Sequence, residues 1–215
     1  MKVLITGANR GIGRALYDDY AARGDDVTGT TRSDPADGWL ALDVTDPASI
    51  TAMADQLGDA PLDLLICNAG VYLDKTETLD DGYPADMWSQ SFAANTTGVF
   101  LTIQALLPNL RAAKGKIAII SSQMASHTRA PGGSYIYRAS KAAALSLGRN
   151  LSTDLKSEGI AVGIYHPGWV QTDMGGPTAA ITTDDAINGL TARFAALSLG
   201  NTGCFETYDG QDHAY

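Results

Sequence analysis

The segment Thr6-Gly7-Ala8-Asn9-Arg10-Gly11-Ile12-Gly13 restricts what this chain can fold into more than any other. It follows an apolar run, Lys2-Val3-Leu4-Ile5-Thr6, that reads as a short buried strand, and it precedes a helical pattern running from about Gly13 to Ala22. Glycines at such a junction permit a tight turn and close backbone approach. The helix beyond it offers unpaired N–H groups and the positive end of its dipole to a pyrophosphate. Gly7, Asn9, Arg10, Gly11, Ile12 and Gly13 are therefore candidate ligand contacts. A plain tight turn is the competing reading, and the strand-before, helix-after setting argues against it.

The remaining sequence repeats this alternation. Strands are expected at Asp26–Thr30, Trp39–Asp43, Leu62–Cys67, Lys116–Ser121, Ile160–Tyr165 and Cys204–Thr207. Helices are expected after Asp46-Pro47, around Ala85–Asn95 and Gly98–Ala113, and over Ser134–Ser157 and Thr183–Leu199. Short apolar strands alternating with longer helices predict the α/β class: a single doubly wound Rossmann-type parallel sheet flanked by helices, in one domain over residues 1–215.

Composition narrows the partners. A formal net charge of -9 repels nucleic acid and anionic lipid, so neither is expected to bind. No apolar run reaches membrane-spanning length. Met1 leads straight into a strand with no room for a signal peptide, so a cytoplasmic location is expected. Cys67 and Cys204 show no metal-ligand spacing and read as free thiols, and His127, His166 and His213 are scattered without metal spacing.

The end of the second strand bears on cofactor choice. A carboxylate there pairs with the ribose 2′-hydroxyl of NAD. This chain has Thr30-Thr31-Arg32 instead, with no acid before Asp34. Arg32 and Arg10 suit a 2′-phosphate, so NADPH is expected over NADH; two solvated surface arginines are the alternative.

Tyr137 and Lys141 stand four residues apart on one expected helix face. A free tyrosine titrates at about 10. An ammonium at roughly 4 Å lowers that by about 1–3 units, into the range of general acid–base catalysis. The spacing alone is common. Its weight comes from the groups gathered at the carboxyl ends of neighbouring strands: Ser121-Ser122, Asn68-Ala69-Gly70, and Pro167-Gly168-Trp169-Val170-Gln171-Thr172. Asn95 lies in a helix between them, where its side chain can anchor a backbone carbonyl or a water. Strand alternation sends Ser121 and Ser122 to opposite faces, and Ser122 is the expected partner of Tyr137.

These motifs together resemble the short-chain dehydrogenase/reductase family over essentially the whole chain. The stretches His166–Pro177 and Tyr208–Gly210 resemble its C-factor and sniffer-type carbonyl reductases. The resemblance implies Tyr137 as the proton donor or acceptor, Lys141 as its modulator, Ser122 as the group that orients the substrate oxygen, and Asn95 as the holder of a relay water. It also implies Asp43 and Val44 at the adenine, Asn68, Ala69 and Gly70 along the cofactor cleft, and Pro167, Gly168, Val170 and Thr172 at the nicotinamide. Cys67 stands where the family commonly has a second asparagine.

Tyr72, Met124, Tyr135, Trp169 and Met174 can wall an apolar pocket or simply pack. The leading expectation is an NADPH-dependent reductase of a small apolar aldehyde, ketone or quinone, assembling as a homodimer or homotetramer. A 3-oxoacyl reductase acting on a carrier protein is disfavoured by the acidic surface unless a local basic patch exists. A dinucleotide-binding signalling protein is the non-enzyme alternative, and an intact Tyr137–Lys141 pair argues for turnover.

Overall fold

The computed structural model describes residues 1–215. The chain runs β1 (Lys2–Ile5), α1 (Gly11–Ala22), β2 (Asp26–Thr31), β3 (Leu40–Ala41), α2 (Pro47–Leu57), β4 (Leu64–Cys67) and α3 (Ala85–Phe92). A π turn (Ala93–Thr97) links α3 to α4 (Gly98–Ala113), and β5 (Lys116–Ile120) follows. A short 3₁₀ turn (Gln123–Ala125), α5 (Tyr135–Lys156), β6 (Ala161–His166), α6 (Thr183–Ala196) and β7 (Phe205–Thr207) complete it.

All seven strands form one sheet in the order β3-β2-β1-β4-β5-β6-β7, and every ladder is parallel. The order reverses between β1 and β4, which opens a crevice at their carboxyl ends. Alternation along the strands feeds two cores. Leu4, Leu65, Cys67, Ile117 and Ile119 pack under α2 and α4 through Ile50, Met53, Ile103 and Leu106. Val3, Ile5, Leu64, Ile66, Ala118 and Ile120 face α1 and α6 through Leu16, Tyr20, Leu190 and Phe194. Strands buried on both faces read as continuous apolar runs, as these do.

Several expected boundaries shift. The strand expected at Trp39–Asp43 shrinks to Leu40–Ala41, because the edge pairs only with Thr30–Thr31 and Asp43 is used instead to fix a turn at Thr45. Trp39 lies over Gly29 and meets Tyr17 at a tilt, with ring centroids 4.7 Å apart. Asp46 caps α2 with Pro47 in its first turn, as its sequence predicts. The expected helices Ala85–Asn95 and Gly98–Ala113 join as one helical run with the π turn in its middle. Gly148 lets α5 close on the sheet, since a Cβ there would fall 2.6 Å from the Ile164 side chain. Cys67 and Cys204 are both free thiols, Cys67 buried and Cys204 half-buried.

Candidate active site

The first strand-to-helix turn is held from both sides. Thr6 Oγ1 accepts the N–H groups of Asn68 and Ala69, each at 3.0 Å. The Asn68 amide returns hydrogen bonds to the carbonyls of Thr6 and Gly7 at 3.0 and 3.1 Å. The NAG segment thus clamps the phosphate turn, which accounts for its position at the end of β4. Gly13 is obligatory: a Cβ there would lie 2.3 Å from the Gly7 carbonyl oxygen and 2.4 Å from Asn68 Nδ2. Gly7 has φ +66 and packs directly on Ala69. No side chain caps α1, and its first turn carries no acid, so its N-terminal amides remain available to an anion. That cradle fits the pyrophosphate of a dinucleotide.

Beyond the turn, a hollow of 290 Å³ is lined by Asn9, Arg14, Thr31, Ser33, Asp34 and Trp39. It lies where an adenosine ribose meets the end of a second strand in this fold. Arg14, which the sequence motif did not single out, lines it while pairing with Asp18 one turn along α1 at 2.9 Å. Arg10 and Arg32 are exposed, and neither lines the hollow; Arg10 lies 3.6 Å from Asp173. Asp43 is held below the usual carboxylate range, chiefly by hydrogen bonds from Thr45 and also by the nearby Arg32. Val44 supplies a carbonyl that packs on Gly98, where a Cβ would lie 2.3 Å away. Gly11, at φ +54, faces Thr172 across the mouth of the crevice. Gly168 (φ +90) follows Pro167, and Val170 is buried beside Ile181.

The reacting groups converge at the carboxyl ends of β4 and β5. Ser121 turns inward and donates to the Lys141 carbonyl at 3.1 Å, while Ser122 accepts the Met124 N–H at 3.1 Å. The Ser122 hydroxyl is also the one that bears on Tyr137. Asn95, fully buried in the π turn, accepts from Val71 N–H at 2.8 Å and donates to the Val71 carbonyl at 2.9 Å. Its amide also donates to Ser140 Oγ at 2.9 Å, and Ser140 in turn donates to the Tyr137 carbonyl at 2.9 Å. Gly70 closes the gap between these groups: a Cβ there would sit 2.9 Å from Asn95 Oδ1 and 3.3 Å from Lys141 Nζ. A π turn inserts an extra residue into helical winding, and Asn95 sits within that turn.

The electrostatics of the pair differ from the sequence expectation. Burial pushes Tyr137 up to about 12, with Ser122 opposing and Tyr72 and Asp74 reinforcing the rise. Burial likewise pushes Lys141 down to about 8. Its Nζ stands 5.8 Å from the Tyr137 ring centroid and donates to the Ile120 carbonyl at 3.0 Å. Burial thus governs both groups, where the four-residue spacing led to the expectation of a lowered tyrosine.

Tyr72, a wall candidate in the sequence, packs on Tyr137, and Asp74 is a contributor that the sequence reading missed. Tyr72 stacks on Tyr137 with centroids 4.2 Å apart, and its hydroxyl shares a 2.5 Å hydrogen bond with Ser134. Asp74, buried, accepts the backbone N–H groups of Ile136 and Tyr137 at the start of α5. Of the other wall candidates, Tyr135 meets Tyr83 edge-on, Met124 lines the space after Ser122, and Trp169 and Met174 are exposed at 51% and 43%. No helix is long and apolar enough to cross a membrane.

Known proteins share this arrangement. A family model described as short chain dehydrogenase matches residues 1–181. The C-signal of Myxococcus xanthus is 39% identical over 163 residues, covering 75% of this chain and 97% of that one. The NADPH-bound carbonyl reductase from chicken fatty liver superposes with a TM-score of 0.91 at 32% identity, covering 100% of this chain and 98% of that chain. The carbonyl reductase Sniffer of Drosophila melanogaster superposes at 0.93 with 26% identity, covering 100% and 99% respectively. The phosphate turn, the crevice and these likenesses define an oxidoreductase that uses a nicotinamide dinucleotide. The chain belongs to the short-chain dehydrogenase family and is similar to its C-signal and Sniffer-type members.

Proposed function

We propose that this protein is a cytoplasmic, single-domain NADPH-dependent reductase of small carbonyl compounds, with Tyr137 as its proton donor. The observation that carries the reading is the meeting of Asn95 and Lys141 at Gly70, together with the Ser122–Tyr137 contact, beyond the carboxyl ends of β4 and β5. The amides of Gly11, Ile12 and Gly13 hold the pyrophosphate, with Gly7 and Asn9 shaping the turn. Asp43 and Val44 border the adenine, Asn68, Ala69 and Gly70 line the cleft, and Pro167, Gly168, Val170 and Thr172 border the nicotinamide. Arg10 and Arg32, each next in sequence to a residue lining the ribose hollow, are the proposed donors for a 2′-phosphate. NADPH bound there supplies the hydride.

The chain's own groups manage the proton. A phenol held near 12 stays protonated at neutral pH, ready to give its proton to the oxygen of a carbonyl under reduction. Ser122 hydrogen-bonds the same oxygen and fixes its orientation. Lys141, at about 8, takes on charge as pH falls toward neutrality and then favours the tyrosinate left after transfer. Asn95 holds the Val71 backbone and Ser140, keeping the path from Lys141 to solvent in register. Tyr72 and Met124 offer an apolar wall to the substrate body, with Trp169 and Met174 at the exposed mouth.

The test is NADPH-dependent turnover of aldehydes, ketones and quinones beside Tyr137→Phe. General acid catalysis contributes roughly 10²–10⁴-fold, so the variant is expected to lose turnover by about that factor while still binding NADPH. Turnover that survives the substitution would remove Tyr137 from its role. The likeness to C-signal favours a second reading as a dinucleotide-binding signal protein, and nucleotide binding without turnover of any carbonyl would move that reading forward.

A further inference from the structure

A hollow of 470 Å³ is lined in part by residues that follow directly on Ser122 and on Tyr137 in the chain. Gln123 and Met124, directly after Ser122, form one wall, and Arg138, directly after Tyr137, forms another. Thr128 and Arg129 close it from the loop between β5 and α5. No carboxylate lines it, although the chain carries 24 acidic residues against 15 basic ones.

The two guanidiniums here are unlike most others in the chain. Arg10, Arg14, Arg23 and Arg111 each pair with a carboxylate, whereas Arg129 and Arg138 pair with none. Arg138 is half-buried and fixed in place, donating through Nε to the Gly133 carbonyl at 3.1 Å and through Nη1 to the Arg129 carbonyl at 3.2 Å. The remaining N–H groups of its fork have no protein partner. Arg129 donates through one Nη1 hydrogen bond to the Gln123 side-chain oxygen. Its charge also acts on buried His166 at the end of β6, opposing protonation there after burial itself and His213. Two unpaired guanidiniums, one held rigid by loop carbonyls, present anchored donors beside a reaction centre in an otherwise acidic protein.

We infer that this hollow binds an anionic group carried by the substrate itself. The inference rests on the reductase reading of Ser122 and Tyr137, and it names the substrate class: a carbonyl compound apolar around its C=O and bearing a carboxylate or phosphate at its far end. The carbonyl lies at Ser122 and Tyr137, the apolar body passes Met124, and the anion meets Arg129 and Arg138, with Gln123 and Thr128 as further hydrogen-bonding groups. Arg is suited to either anion because its planar fork matches both geometries. The overall negative charge discourages anions elsewhere on the surface, so the local basic hollow supplies selectivity.

The experiment pairs linear aldehydes of increasing length that end in a carboxylate with their methyl esters, and adds one aldehyde ending in a phosphate monoester. Each is followed as kcat/KM with NADPH for the wild type and for Arg129→Gln, whose guanidinium meets only another side chain. At one chain length the acid is expected to exceed its ester by about tenfold, the scale of a charge-assisted contact at a partly exposed site. Arg129→Gln is expected to narrow that ratio, and so is raising salt from about 0.05 to about 0.5 M on the wild type. The phosphate arm tells which anion the hollow prefers. Acid and ester turned over equally at every length, or a ratio indifferent to both salt and Arg129→Gln, overturns the inference while leaving the reductase reading intact. If no aldehyde is turned over, the reductase reading fails. Calorimetric titration with the same acids and esters then still reads the hollow: acid-selective binding lost in Arg129→Gln upholds it, and no selectivity overturns it.

Discussion

The Asp74 carboxylate accepts the backbone N–H of Tyr137, so the residue that sets the start of α5 also fixes the phenol that α5 carries. The same carboxylate takes the Ile136 N–H at 2.8 Å, and it does so 1% exposed to solvent. Ser134, immediately before the helix, provides no side-chain cap and sits at φ +49. Asp74 therefore performs from the loop after β4 the role that an N-cap residue performs locally.

Removing that acceptor leaves two buried amide donors unsatisfied, each worth about 1–3 kcal/mol. Asp74→Ala is expected to lower the melting temperature by several degrees, since 1 kcal/mol corresponds to about 2–4 °C in a domain near this size. Asp74→Asn keeps an oxygen acceptor and is expected to lose less. Thermal denaturation of the two variants checks the order, and equal melting temperatures for Asp74→Ala and the wild type would show that the cap is not stabilising.

The placement of Lys141, unlike that of Asp74, costs stability. Its ammonium titrates at 10.5 when solvated and at about 8 when buried here. Between those values the unfolded chain holds a proton that the folded chain lacks, so stability rises with pH through this window. At 1.36 kcal/mol per unit the burial penalty below pH 8 is roughly 3 kcal/mol. Lys141→Met is accordingly expected to unfold at a higher urea concentration than the wild type at pH 7 while losing turnover. Its advantage is expected to shrink from pH 8 to 10.5; an advantage independent of pH would mean that the lysine is not held in a desolvated state.

Much of the fold was legible because the central strands β1, β4, β5 and β6 are buried on both faces. Val3-Leu4-Ile5 and Ile117-Ala118-Ile119-Ile120 needed no tertiary information to be read as buried strands. The phosphate turn, Asn68 and the Tyr137–Lys141 spacing were legible for a related reason, since their geometry follows from local spacing at strand ends. Three features were not. The π turn that holds Asn95 departs from helical periodicity by one residue, which an apolar pattern cannot register. Asp74 acts on residues 62 and 63 positions away, so no local motif marks it. The state of Tyr137 was misjudged because spacing gives the distance to Lys141 and says nothing of the burial that governs both groups.

The proposed preference for NADPH is tested at the exposed arginines Arg10 and Arg32. Arg32→Ala is expected to reduce the affinity for NADPH relative to NADH by about tenfold, because an exposed guanidinium contributes modestly and is screened by salt. Arg10→Ala is expected to do less, since Arg10 shares its charge with Asp173 at 3.6 Å. Titrations followed by nucleotide fluorescence at low and physiological salt measure both ratios. A wild type that binds the two nucleotides equally would remove the 2′-phosphate role from both arginines.

His166 makes the protein sensitive to acid at the end of β6. Its ring is buried with Nδ1 unpartnered, and the perpendicular His213 ring lies 6.2 Å away. Burial first, then His213 and Arg129, hold it down to about 4 from an ordinary 6.5, with Asp209 pulling the other way. Below 6.5 the unfolded chain takes up a proton that the folded chain refuses, so stability falls as pH drops from 6.5 to 4. The fall attributable to this group is roughly 3 kcal/mol at 1.36 kcal/mol per unit. His166→Leu keeps the volume apolar and removes both the orphaned nitrogen and the titration. Its urea midpoint is expected to decline less steeply than that of the wild type across this window, and the two are expected to diverge most near pH 4. Parallel declines would mean that His166 takes up its proton without unfolding the end of β6.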